Sequence, residues 1–307
     1  MSTFRKALVQ LHIFVFLAGL TGPLGYLIKL NGLVLVFYRI LITVLCLWVI
    51  ALFKEKKHQY SLTTQLSLLG TGMIIAMHWV CFYQSIKLAN VSIALVCFSS
   101  TSLFTSLLEP LWERGKIKGV EILISSLSLL GIYLIFHFDT QYRLGILVGL
   151  CSSLFAAIFT IINKRFTHHI DIQTIQSYEM TGGLLFLIPF IILYAIKTKF
   201  NLIGLLPTSM DWFWLSILAI ACTVWSTHLM LSALKQISAF TLNVTLNLEP
   251  VYGILLAFIL FNEQKQLGIS FYVGIICIII SVVIQMRRVV KQKTVRSEEH
   301  TSELQSH

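Results

Sequence analysis

Between Gly32 and Phe53 the chain runs for twenty-two residues with a single charge, Arg39. A bilayer-crossing helix needs roughly 20 mostly apolar residues, so this stretch alone is long enough to span. The pattern recurs along the whole chain, as far as Leu267–Met286. Hydrophobic residues make up 57% of the 307 residues and charged residues 12%, where a soluble domain has about 25% charged. Too few charges remain to build a water-facing shell. The chain therefore reads as an all-α integral membrane protein whose first partner is the lipid bilayer.

Ten apolar segments are visible, near 8–28, 32–53, 65–86, 91–112, 120–138, 143–165, 173–196, 211–234, 238–261 and 267–286. The first is read as a retained membrane helix, since no small-residue cleavage site and soluble mature chain follow it. Short connections make neighbouring helices antiparallel. The last twelve residues, Arg296–His307 (RSEEHTSELQSH), are polar and aperiodic. They match the translation of a common sequencing adapter and are expected to be a disordered extension outside the fold.

The formal net charge of +10 does not argue for nucleic acid, because the basic residues sit in short loops between apolar segments. With the N-terminus inside, fifteen Lys and Arg fall on the cytoplasmic side and six on the other. That bias places both termini in the cytoplasm, in a cell membrane. All six cysteines lie within apolar segments and none forms a CxxC pair, so they make neither a disulfide framework nor a zinc site.

The chain also repeats. Tyr38-Arg39 aligns with Tyr178-Glu179, and SIKLANVSIAL from Ser85 aligns with ALKQISAFTL from Ala233, an offset of 148. Each half, 1–140 and 141–295, holds five segments. Five is odd, so the second half enters the membrane upside down relative to the first. Two inverted five-helix repeats around a midplane site are a recurrent build for secondary transporters.

The second half resembles the EamA-type transporters of the drug/metabolite transporter superfamily. The resemblance rests on GILVGLCSSLFAAIFTIINKRF from Gly145, ALKQISA from Ala233, and NLEPVYGILLAFILFNEQKQLGISFYVGIICIII from Asn247, with Glu249-Pro250, Glu263 and Gly274 at family positions. The first half is similar through Arg39 and the SIKLANVS turn. It has Gly115 where the family has a loop Glu, and Thr101-Ser102 where the family has Glu-Pro; its own Glu109-Pro110 comes about two turns later. The resemblance covers residues 8–286 and implies ten helices, alternating access and export of small organic metabolites, amino-acid-like or drug-like.

Glu249 is the first candidate site residue. It lies about eleven residues into its segment, near the midplane, where a carboxylate costs several kcal/mol and usually faces a cavity or a partner. Proton coupling there competes with a purely structural hydrogen bond. Pro250 removes a helical hydrogen bond to the Leu246 carbonyl, and Asn243 and Asn247 precede it. Arg39 and Glu179 sit about seven residues inside opposite faces, at depths that differ by roughly 10 Å, so no direct salt bridge is expected. Arg39 could bind an anionic group, snorkel or hold the fold together. His78, Trp79 and Tyr83, with Trp225 and His228 across the repeat, are candidates to line a substrate cavity; packing is the plainer reading for an aromatic stripe. Gly19, Gly22, Pro23 and Gly25 make the first helix the most breakable.

The chain contains no P-loop, no HExxH and no Cys/His ligand cluster. It implies no cofactor, no bound metal and no catalytic residue, and leaves an ion gradient or the substrate's own gradient as driving force. An intramembrane enzyme or a scaffold without transport is the alternative. A homodimer is compatible with every residue used.

Overall fold

The computed structural model describes residues 3–53, 60–135, 143–199, 202–261, 273–274, 276–277, 279–285, 287–288 and 291. The regular elements among them are helical. In order they are α1 (Thr3–Gly19), α2 (Thr21–Leu27), α3 (Gly32–Leu52), α4 (Leu62–Leu88), α5 (Val91–Ser99), α6 (Thr101–Trp112) and α7 (Gly119–Ile135). There follow α8 (Arg143–Phe166), α9 (Ile172–Lys197), α10 (Leu202–Leu205), α11 (Ser209–Ala219), α12 (Ser226–Leu234), α13 (Ala239–Leu246) and α14 (Glu249–Phe261). A π-helical turn, Ile220–Trp225, joins α11 to α12.

Seven stretches of the described residues are long and apolar enough to cross a membrane. They are Phe4–Leu27, Gly32–Leu52, Leu62–Leu88, Ile93–Trp112, Arg143–Phe166, Ile172–Lys197 and Ser209–Leu234. The chain is a multi-pass membrane protein. Its outward side chains fit that setting: Leu45, Leu185 and Leu193 are each more than half exposed, which suits contact with lipid. Three of the ten expected segments do not meet the same measure. α7 is 17 residues long, the ninth segment is two short helices, and part of 267–286 lies outside the described residues. Glu263 and the tail 296–307 lie wholly outside them.

Capping shows why the helices begin where they do. Asn31, Ser61, Asn90, Asp171, Thr208 and Ser238 each accept the backbone N–H three residues on, satisfying a donor the helix itself cannot. Asn90 and Ser238 stand 148 residues apart, at the offset of the sequence repeat.

Both helices that follow these two caps are broken about nine residues later, and the causes differ. Between α5 and α6 the run Ser99, Ser100, Thr101, Ser102 turns its hydroxyls back on its own backbone. Thr101 donates to the Phe98 carbonyl at 2.5 Å and Ser102 to Ser99 at 3.1 Å. Such back-bonding competes with the helical ladder and bends it. Between α13 and α14 the break is the one expected from Pro250: α13 stops at Leu246 and α14 restarts at Glu249. The first membrane segment also breaks, at Leu20 among its glycines.

α4 is the central helix, packed between α8 and α9. Its approach to α9 is close because of Gly72 and Gly182: a Cβ on Gly72 would overlap the Glu179 carbonyl, and one on Gly182 the Leu69 carbonyl. The other contacts follow a pattern of exchange between halves. α4 packs on α8 as α12 packs on α1; α4 packs on α9 as α11 packs on α3; and α5 and α6 pack on α8 as α13 and α14 pack on α1.

Candidate functional site

A cavity of about 80 Å³ lies where these helices converge. α1 and α2 supply Phe14, Ala18 and Thr21; α3 supplies Arg39; α4 supplies Ile75, His78, Trp79 and Phe82. α5 adds Phe98, and α8 adds Ala156, Phe159 and Thr160. Gln176, Glu179 and Met180 come from α9, and Cys222, Ser226, Thr227 and Met230 from the π turn and α12. Asn243, Leu246 and Glu249 complete the wall at the break between α13 and α14.

Arg39 is the most heavily held side chain in the site. It is 3% exposed, so it does not snorkel. Its Nε donates to Thr223 Oγ1 at 2.8 Å, Nη1 to the Tyr83 hydroxyl at 3.0 Å and Nη2 to the Cys222 carbonyl at 3.2 Å. The guanidinium carbon stands 3.9 Å from the Trp79 ring centroid, a cation–π contact. Tyr83 reaches this position because Gly25 leaves room: a Cβ there would strike its ring. The Cys222 carbonyl belongs to the π turn, where Thr223 Oγ1 donates five residues back to Leu218. π turns of this kind often accompany functional sites. Arg39 thus joins α3 of the first half to the π turn of the second.

Glu249 is 3% exposed at the first residue of α14. Thr21 stands beside its carboxyl, and Thr21 Oγ1 already donates to the Ala18 carbonyl at 2.7 Å. Glu179 is likewise 3% exposed, and its Oε1 has no hydrogen-bond partner. The Asn163 amide lies next to it without reaching hydrogen-bond geometry. As expected from their depths, Arg39 and Glu179 make no ion pair; the described ion pairs are Lys118–Glu121 and Arg288–Glu121.

Asn243 Nδ2 donates to Thr105 Oγ1 at 2.8 Å, while its Oδ1 has no partner. Asn247 does not line the cavity; its Nδ2 reaches Ser102 Oγ at 3.3 Å and ties α13 to α6. His78 does line it, with Nδ1 3.0 Å from the Ser152 carbonyl and 2.8 Å from Ser152 Oγ. Phe82, Phe98 and Phe159 surround its ring.

Of the aromatic and histidine candidates, Trp79 and His78 reach the cavity, and Tyr83 stands behind Arg39. Trp225 and His228 do not reach it. Trp225 is 53% exposed on the outer surface, and His228 is exposed too. Residues four apart share a helical face, so 222, 226 and 230 face inward together and leave 225 and 228 outside. Ser226, Thr227 and Met230 carried no chemical signal of their own. The 148-residue offset could have found them, because it maps His78, Trp79 and Phe82 onto those three positions.

Lys87 and Lys164 fasten the helix ends. Lys87 Nζ donates to the Gly25 and Ile28 carbonyls at 3.4 and 3.0 Å. Lys164 Nζ donates to Leu234 and Ile237 at 2.5 and 2.6 Å. Both sit at C-terminal carbonyls, where a cation is favoured.

The model of the EamA-like transporter family matches residues 5–137 and, a second time, 143–287. The chain belongs to this family, within the drug/metabolite transporter superfamily. Among curated relatives, this EamA-like protein is 22% identical over 207 residues to an uncharacterized transporter, YetK, of Bacillus subtilis. That match covers 65% of this chain and spans 61% of the Bacillus protein's length. An uncharacterized transporter of Clostridium kluyveri is 24% identical over 231 residues, 72% of each chain. A solved crystal structure shares the fold, with a TM-score of 0.72 at 12% identity over 93% of this chain and 99% of its own. The EamA-like chain is therefore a member of a membrane-transporter family.

Proposed function

We propose that this EamA-like protein is a secondary transporter of the cell membrane that exports small organic metabolites by alternating access. In this reading it has ten transmembrane helices in two inverted five-helix halves, 1–140 and 141–295, with both termini cytoplasmic. Two family-model matches in one chain support the repeat. So do the exchange of packing partners between halves and the breaks at equivalent places in α5–α6 and α13–α14. Broken helices near the midplane are where transporters of this build hold their cargo.

The observation that carries the reading is the cavity itself. Both halves wall it, and it holds Arg39, Glu179 and Glu249 with no ion pair among them. Glu249 is the proposed proton-coupling group. Its side chain is 3% exposed and lines the cavity at the break between α13 and α14.

The test is flux in proteoliposomes holding the full-length protein, against a metabolite panel, with and without a pH difference. The reading expects at least one solute to move against its gradient when the pH difference is imposed. A panel that moves no solute in either condition would contradict it.

A further inference from the structure

α6 and α13 meet along a stripe of polar side chains, and the inference drawn from it rests on the transporter reading. Ser102, Thr105 and Glu109 follow one another at helical spacing on one face of α6. Asn247, Asn243 and the first turn of α13 stand opposite them in antiparallel order. Asn247 Nδ2 donates to Ser102 Oγ at 3.3 Å, and Asn243 Nδ2 to Thr105 Oγ1 at 2.8 Å. At the far end Glu109 accepts two backbone N–H groups at once, Ala239 on Oε1 at 3.1 Å and Phe240 on Oε2 at 2.9 Å. Glu109 is 8% exposed and the other four side chains are more deeply buried.

Glu109 completes the cap of α13. Ser238 Oγ accepts the N–H of Thr241 at 3.1 Å, and Ala239 and Phe240 carry the donors before it that a helix leaves unpaired. A carboxylate is favoured there by the helix dipole and by charge-assisted bonds. It comes from the other half of the chain, 130 residues away. In the ten-helix topology this end of the stripe is cytoplasmic: α6 leads into the loop of Arg114, Lys116 and Lys118, and α13 follows Lys235. At its other end the stripe reaches the cavity, which Asn243 lines. The stripe therefore lies between the cavity and the cytoplasm.

The repeat supplies a contrast. The 148-residue offset carries Ser102, Thr105 and Glu109 onto Pro250, Gly253 and Ala257. It carries Ala239, Asn243 and Asn247 back onto Val91, Leu95 and Ser99. That outer seam is mostly apolar and tight, since a Cβ on Gly253 would lie 2.8 Å from Leu95 Cδ1. Water entering the inner seam can replace its hydrogen bonds, whereas water entering the outer seam meets apolar surface. The family's first-half Glu-Pro position is filled here by Thr101-Ser102, so the resemblance assigns nothing to Glu109.

We propose that α6 and α13 are the jaws of a cytoplasmic gate and that Glu109, gripping the N-terminus of α13, is the bolt that holds it shut in this structure. Parting the jaws exchanges each bond of the stripe for one to water and opens the cavity to the cytoplasm. The matching outer position is an alanine, so the bolt acts at one end alone and biases the protein toward its cytoplasm-closed state.

The test uses the full-length protein in sealed vesicles of known orientation, with Cys222 as the sole cysteine and a membrane-impermeant maleimide applied to one face at a time. Glu109→Gln is expected to raise the labelling rate from the cytoplasmic face at least about fivefold, while the rate from the outer face holds or falls. Thr105→Val, which removes one rung at nearly constant volume, is expected to give about a twofold shift in the same direction. It decides the question if Glu109→Gln does not fold. A cap that serves stability alone would lower the melting temperature and leave the ratio of the two rates at its wild-type value. That unchanged ratio, or a shift toward the outer face, overturns the proposal. Flux of the metabolite panel in the same vesicles separates the two readings. An unchanged ratio with wild-type flux removes the gate and leaves the transporter; a shifted ratio with no solute moved keeps the moving helices and removes the transporter; no shift and no flux removes both.

Discussion

The two broken helices at the cavity share a cap, a length and a break, yet they deliver different chemistry. α13–α14 restarts on Glu249, where α5–α6 restarts on Thr101, 148 residues earlier. The same division runs through the site. The first half contributes Arg39, Trp79, Phe82 and Phe98; the second places Glu179, Thr227, Met230 and Leu246 at the corresponding positions. One half brings the cation and most of the aromatic side chains, and the other brings the acids. A duplicated backbone can keep its rocking symmetry while its two faces diverge, because packing fixes helix positions and leaves lining side chains free to change.

The largest effect that would sharpen this contrast is expected at Glu249. Glu249→Gln should cut pH-driven flux by about 100-fold or more while cargo-for-cargo exchange survives, since a proton carrier in the membrane has no ready substitute. Unchanged pH-driven flux would remove the proton role. Arg39→Leu comes next. It breaks two bonds to the second half and one to Tyr83 and leaves Glu249 without its cation, at a cost of about 3–5 kcal/mol, read as thermal unfolding in detergent. The exchange Arg39→Glu with Glu179→Arg should not recover that loss. Tyr83, Thr223 and the Cys222 carbonyl hold a guanidinium at 39, and the described contacts of Glu179 include no such cradle. Recovery would show the halves to be interchangeable after all.

Gly72→Ala should cost about 1–3 kcal/mol by overpacking against the Glu179 backbone. It should also weaken cargo binding, because it moves the helix that carries the acid. The smallest effect is expected at Trp225→Ala. That side chain faces outward, so stability should change by less than about 0.5 kcal/mol and flux should hold. A large loss of flux there would place the cavity wrongly on this helix.

Much of the fold was legible in the sequence because lipid leaves few options. Apolar length alone located 32–53, 143–165 and 173–196 to within one residue of α3, α8 and α9 at each end. Pro250 announced the break before Glu249, and the glycines of the first segment announced the break at Leu20. The break at Ser100 was harder to see, since Ser and Thr bend a helix only when their hydroxyls turn to the backbone. Within the site, charge marked Arg39, Glu179 and Glu249, which do reach the cavity. Chemistry misdirected on α12, where Trp225 and His228 look more functional than Ser226 and Thr227 yet point away. The π turn, and its carbonyl that holds Arg39, left no sequence signal, because it depends on backbone bonding and not on residue type.

The central claim is that one cavity opens in turn to the two sides of the membrane, and Cys222 reports on it directly. Among the described residues it is the cysteine that lines the cavity. With Cys46, Cys81, Cys97, Cys151 and Cys277 replaced by Ala or Ser, a membrane-impermeant thiol reagent is applied to sealed vesicles of either orientation. The account predicts labelling of Cys222 from both sides, slowed from both by saturating cargo. Labelling confined to one side under every pH gradient and cargo condition would contradict it.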